Sequence, residues 1–434
     1  MIARVQMWGR TIGAISMEEG RAYGSFQYDP AFARSGIELS PLTMPLGNRV
    51  YEFPLLARGT FHGLPGLLAD SLPDKFGNAL VDAWLATWGR TPGSFGPIER
   101  LCYTGTRGMG ALEFAPGLGP RSRLAKKMEI DAMVRLATEI LTRRKEFKAN
   151  LGGKSREKAL QEILRVGTSA GGARAKAVIA WNRETNEVRS GQVHAGDGFE
   201  YWLLKFDGVS GNKDKEGEDP KGYGTIEFAY HLMARAAGII MSDCRLLEEN
   251  GRKHFMTRRF DRLAGGEKLH MQSLCALAHF DFNQPGAYSY EQAFLAIRQL
   301  GLPMAAVEEQ FRRMAFNILA RNQDDHVKNI SFLMNQEGEW SLAPAFDVTY
   351  SYNPNGSFTA SHQMTMQGKR DRFTQTDFEA CAKSALMKRG RARTILDQVQ
   401  TAICRWPEFA TQANIPTAWQ EKIRRTHRLS LPKE

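Results

Sequence analysis

The sequence predicts an α+β protein, with a small mixed α/β subdomain followed by two lobes, the first rich in sheet and the second mainly helical. Three observations lead there. Residues 1 to 110 hold short alternating runs broken by turn residues, the stretch from 176 to 260 carries period-two strands around one amphipathic helix, and beyond Tyr290 the apolar spacing is that of helices. At 434 residues the chain has room for two or three domains of roughly 100 to 200 residues each.

Taken in order, "WGRTIG", "YDPAF", "SLPDKFGN" and "TPGSFGP" place Gly, Pro, Asn and Asp between short apolar runs, as turns between strands and short helices. Lys126 to Ala149 reads as a basic helix, and "NLGGKSREK" as the linker after it. These features set a first subdomain at 1–150, a sheet-rich lobe at 155–257 and a helical lobe at 258–434. "VGTSAGGARAKAVIAW" reads as strand, glycine turn, strand. In "EYWLLKFD", Trp202, Leu204 and Phe206 share one face, which leaves Lys205 on the other. A polar loop, 208–222, then leads into a helix with Ile226, Tyr230, Met233 and Ala237 along its apolar stripe. "HFMTRRF" is strand-like. "MAAVEEQFRRMAFNILAR" aligns Val307, Phe311, Met314, Ile318 and Leu319, and residues 375–429 are again helical and basic.

Composition narrows the classes. Apolar content of 42% and charged content of 24% are ordinary for a folded protein, and the 41 glycines have no period, which excludes collagen-like chains. The N-terminus lacks the apolar run of a secretory signal, and no stretch approaches the ~18 apolar residues of a spanning helix, so a cytoplasmic protein without membrane contact is expected. Five scattered cysteines without a CxxC pair read as reduced thiols. A net charge of +11 favours a polyanionic partner such as a nucleotide, nucleic acid or acidic surface.

The chemistry concentrates in "RNQDDHVKNISFLM", Arg321 to Met334. Ionisable groups are packed here between an apolar helix and the alternating Ile330, Phe332 and Met334, where each would cost several kcal/mol if left unpaired. Phosphoryl transfer needs a carboxylate to accept a hydroxyl proton and oxygen ligands for Mg²⁺. Asp324 and Asn329 supply that spacing on one loop, and "WSLAPAFDVTYS" delivers Asp347 after the next strand as a second metal ligand. Ahead of them, "GTSAGGARAK" offers glycines that let backbone N–H groups approach phosphate, and Lys205 offers an ammonium on the following strand. Glycine tip, strand lysine, Asp/Asn loop, strand and Asp, in this order, are the protein-kinase layout. "GGKS" at 152–155 is a decoy, because Lys148 stands where a phosphate-binding loop needs its first glycine.

"GTSAGGARAKA", "YWLLKFD", "MTRRFDR", "NQDDHVKNISFLM" and "LAPAFDVTYS" together resemble the HipA-type serine/threonine kinases, toxin partners of bacterial toxin–antitoxin pairs. "LPGLLADSLPDKFGN" is similar to their amino-terminal subdomain, so the resemblance covers nearly the whole chain. It implies a two-lobed protein-kinase-like fold using ATP and Mg²⁺. Asp324 would be the catalytic base, with His326 and Lys328 completing its loop, and Asn329 and Asp347 would bind metal. Gly167, Thr168, Ser169, Ala170, Gly171, Gly172, Lys176 and Lys205 would hold the phosphates, and Met256, Arg258 and Phe260 would form the hinge beside adenine. Arg258 stands where some relatives carry an acidic residue, and Asp325 where some carry glycine, which reads as a turn cap.

The same resemblance implies autophosphorylation of Ser169, with Thr168 as a second hydroxyl. A phosphoserine there adds about −1.5 to −2 charges and would compete with ATP for the same amides. A protein substrate such as an aminoacyl-tRNA synthetase, a helix–turn–helix antitoxin and, through it, operator DNA are the implied partners. Two other readings stay open: a basic DNA-binding regulator, suggested by "RSRLAKK" and "KRGRAR", and a pseudokinase scaffold.

Overall fold

The computed structural model describes residues 1–120, 128–142, 163, 164, 166, 167, 174–193, 195–209, 213, 214, 217, 218 and 222–433. Thr168 to Gly172, which include the expected phosphorylation site, and the GGKS segment lie outside them.

Alternating residues at the N-terminus build a five-stranded sheet in the order Val50–Glu52, Ser25–Tyr28, Arg10–Ser16, Ile2–Met7, Leu112–Ala115. One face of it is apolar: Ala3, Val5 and Met7 are buried while Ile2 and Arg4 face solvent. A second five-stranded sheet follows, in the order Cys244–Glu249, Arg252–Arg258, Phe199–Lys205, Lys176–Asn182, Val188–Ser190. All its pairings are antiparallel, and Lys176 and Lys205 face each other across one ladder. Three strands, His270–Ser273, Ser331–Met334 and Trp340–Leu342, make a small sheet inside the helical lobe.

Two large apolar clusters join these units. One contains the inner face of the first sheet, the helix Tyr223–Ala236 and the helices of the C-terminal lobe, with Val307, Phe311, Met314, Ile318 and Leu319 all sealed from water. The other lies under the second sheet and includes Trp202, Leu204 and Phe206, as the alternation requires, together with Phe76 and Leu80 from the helix Lys75–Thr87. The first subdomain thus contributes a helix to the core of the sheet-rich lobe. Among the described residues no helix is long and apolar enough to cross a membrane.

The segment before the glycine turn departs from expectation. Ile163, Leu164 and Val166 are helical, and the Gly167 N–H donates to the Ile163 carbonyl at 2.7 Å. No strand precedes the turn in these described residues, so the hairpin reading is corrected. A short apolar run carries no period of its own. Here packing decides, because the helical form turns all these side chains toward Phe76 and Leu80.

Burial also sets the acid response of the fold. Desolvation pushes His231, His270, His279 and His427 each down to about 4. In the unfolded chain they titrate near ~6.5, so below that pH the unfolded state takes up protons first. Stability is expected to be full above about pH 6.5 and to fall as pH drops toward 4. Urea unfolding followed from pH 7.5 to 5 should show a falling midpoint, and a flat profile would contradict this account.

Candidate functional site

The site is assembled where the second sheet meets the loop after the helix Met304–Leu319. Lys205 ends the strand Phe199–Lys205 on the face away from the apolar core, and its Nζ reaches two carboxylates. It donates to Glu227 Oε1 at 2.6 Å and also to Asp347 Oδ1. Glu227 lies on the helix Tyr223–Ala236 and is almost wholly buried. Among the described residues its other oxygen, Oε2, has no hydrogen-bond partner, and Arg174 Nη1 is 3.7 Å away. Burial lowers the proton affinity of the Lys205 ammonium, but Asp347 and Glu227 outweigh it and hold the group firmly charged.

Asp347 follows the small sheet and takes a left-handed backbone, φ 53°, which Asp tolerates better than most residues and which at such positions often marks function. Burial raises its carboxyl, yet Lys205 and Lys176, with a smaller contribution from His326, hold it below the usual carboxylate range. His326 in turn places Nε2 3.7 Å from Asp324 Oδ1. One imidazole therefore lies in the field of both carboxylates.

The loop itself is held from within. Val327–Asn329 forms a single 3₁₀ turn, and Asn329 Nδ2 donates to the Asp324 carbonyl at 2.9 Å. With its nitrogen committed, the amide presents Oδ1 on its other side. Asp324 keeps a partly exposed carboxylate, 38% accessible. The donor set at Asp324, Asn329 and Asp347 is all oxygen and fits a hard cation. No group of three or more His, Cys, Asp or Glu that could cage a metal occurs among the described residues. Mg²⁺ does not need one, since it is usually held by one or two carboxylates with phosphate and water.

The remaining candidates divide. Lys176 is buried beside Asp74, with Nζ 3.2 Å from Asp74 Oδ2, and its charge acts on Asp347. Lys328 turns its ammonium over the Phe282 ring at 5.1 Å, and His326 packs against the same ring. Met256 lies inside the sheet, paired with Leu204 and Arg245, its side chain in the core. Arg258, the last residue of the strand Arg252–Arg258, is half exposed and 3.8 Å from Glu200. Phe260 meets Phe346, one residue before Asp347, with ring centroids 5.8 Å apart.

Asp325 is not a turn cap. It is buried and accepts from Tyr290 Oη at 2.6 Å, from the Gln363 N–H at 2.7 Å and from His362 Nδ1 at 2.8 Å. His362 Nε2 faces Arg428 Nη1 at 3.4 Å. That environment assigns the Nδ1–H tautomer, with Nε2 as acceptor. Burial raises the Asp325 carboxyl, but His362, Tyr290 and the Gln363 amide bring it below its ordinary value.

Comparison with known proteins now decides the family. A model described as HipA-like C-terminal domain matches residues 168–406, more than half of the chain, and one described as HipA N-terminal domain matches residues 3–115. The chain belongs to the HipA family. Among solved structures it is similar to the Shewanella oneidensis MR-1 HipA in complex with HipB and operator DNA, with TM-score 0.68 and 16% identity over 98% of this chain and 95% of that one. A Helicobacter pylori proinflammatory kinase, CtkA, aligns at TM-score 0.35 and 13% identity over 52% of this chain and 88% of its own. No curated protein matches. The fold of this HipA-family chain is therefore mixed α and β in several units, like that of the Shewanella protein.

Three residues of this HipA-family site escape a reading of the sequence. Glu227 carries one signal, a carboxylate between Ile226 and Phe228 in an otherwise apolar helical turn. Asp74 and Arg174 carry none, because each looks like an ordinary turn or surface charge.

Proposed function

We propose that this chain is an ATP- and Mg²⁺-dependent protein serine/threonine kinase and the toxin component of a toxin–antitoxin pair. One observation carries the reading: the Lys205 ammonium lies between Glu227 and Asp347, and His326 links Asp347 to Asp324. A strand lysine paired to a helix glutamate is a requirement of kinase active sites, alongside a metal-binding aspartate and a catalytic-loop Asp/Asn pair.

In this reading Asp324 orients the substrate hydroxyl and accepts its proton. Asn329 steadies the loop through the Asp324 carbonyl and presents Oδ1 to the metal. Asp347 presents its carboxylate, kept ionised by its cationic neighbours. Lys205 brings a fixed positive charge to phosphate oxygens, and Glu227 keeps that ammonium in place. Mg²⁺ bound by Asn329 and Asp347 would supply charge neutralisation to the transferring phosphoryl group. Arg258 to Phe260 form the hinge beside adenine, and Ser169 is the autophosphorylated residue. The antitoxin and operator DNA found with the Shewanella protein are the partner classes we assign here, and a translation component such as an aminoacyl-tRNA synthetase is the target.

Incubation of the purified chain with labelled ATP and Mg²⁺ tests this. Label is expected on Ser169, to vanish with a chelator, and to be lost in Ser169→Ala but kept in Thr168→Ala. The absence of both incorporation and a thermal shift with ATP and Mg²⁺ would sink the kinase reading. Salt-sensitive DNA binding by the isolated chain would then favour the DNA-binding alternative.

A further inference from the structure

The helix Lys75–Thr87 belongs to the first subdomain, yet it touches residues on both sides of the glycine-rich segment. At the near side, a Cβ added to Gly167 would stand 2.4 Å from Leu80 Cδ1 and 3.3 Å from Phe76 Cε1. At the far side, Asp74, the N-cap of that helix, accepts from the Gly77 N–H at 2.7 Å through Oδ1. Its Oδ2 lies 3.2 Å from Lys176 Nζ, with the side chains 6% and 3% exposed. Two contacts of different chemistry, one apolar at Gly167 and one ionic at Lys176, thus tie these flanking residues to one helix.

Lys176 is also the cross-strand partner of Lys205, whose ammonium contacts Asp347. A buried ammonium needs a counter-charge, and Asp74 supplies one at 3.2 Å. We propose that the first subdomain is a working part of the nucleotide site, and that Asp74 is a positioning residue which holds Lys176 back from Asp347. This rests on the kinase reading. Without Asp74 the ammonium is drawn toward Asp347 and competes with Mg²⁺ for its carboxylate.

Asp74→Asn separates this role from helix capping, because asparagine retains an oxygen for the Gly77 N–H. Binding of a non-hydrolysable ATP analogue with Mg²⁺ is measured by calorimetry, well below the melting temperature of every variant. Asp74→Asn is expected to weaken binding about tenfold, a coupling typical of neighbouring charges, and to add no further loss in a Lys176→Met background. Val81→Ala is the folding control, since Val81 packs with Leu85, Phe95 and Tyr103 in a cluster separate from that of Phe76 and Leu80; it should bind like wild type. Wild-type affinity in Asp74→Asn, an equal loss in both backgrounds, or an equal loss in Val81→Ala would overturn the proposal. If the wild-type chain binds no nucleotide, the kinase reading itself fails, and this inference with it.

Discussion

Replacing Asp324 by asparagine is expected to cut phosphoryl transfer by about 10²- to 10⁴-fold, the usual contribution of a general base. The loss should fall on kcat. Asp324 is held through its backbone carbonyl, which Asn329 Nδ2 engages at 2.9 Å, so the loop keeps its shape whatever the side chain at 324. The carboxylate is 38% accessible, so little stability is at stake. The affinity for ATP with Mg²⁺ should therefore change little, while transfer to Ser169 or to a protein substrate collapses. Asp347→Asn makes a useful contrast. It removes a carboxylate that Lys205 Nζ contacts directly, so both nucleotide affinity and rate should suffer. Equal label incorporation by wild type and Asp324→Asn would remove Asp324 from the role of base.

How much of this site was legible follows from where its parts lie in the chain. Asp324, His326 and Asn329 are contiguous, and a 3₁₀ turn between a buried helix and a buried strand leaves them few arrangements. Lys205 was readable because strand alternation fixes its face. Glu227 was not assigned, since nothing local shows that its helix packs beside the Lys205 strand. The helix before Gly167 was misread as strand for a related reason: its period is set by Phe76 and Leu80, which are remote in sequence. Asp325 shows the limit most clearly. Its neighbour Asp324 is partly exposed and Asp325 is sealed, and the partner that makes the difference, His362, is 37 residues away.

That buried pair carries the second large effect. His362→Ala should cost about 3 to 5 kcal/mol of stability, because it takes a charge-assisted hydrogen bond from a sealed carboxylate and leaves a cavity where the imidazole ring packed. The side chains of His362 and Asp325 are 0% and 1% exposed, so water cannot replace the lost partner without opening the core. Two donors remain to Asp325, Tyr290 Oη and the Gln363 N–H, which argues for the lower end of that range. Tyr290→Phe removes a neutral hydroxyl instead and should cost less, about 1 to 3 kcal/mol. Urea unfolding of both variants gives the comparison. The pH dependence has a definite sign. The Asp325 carboxyl is depressed in the folded chain, so its contribution is complete above its unfolded value near ~3.9 and disappears as pH falls through the lower folded value. Functionally, Asp325 ties residues 362 and 363 to the backbone that carries Asp324. His362→Ala should accordingly lower kcat more than it raises KM for ATP, even where the variant is fully folded. A cost below about 1 kcal/mol, as expected of an exposed pair, would show that the segment is held by other contacts.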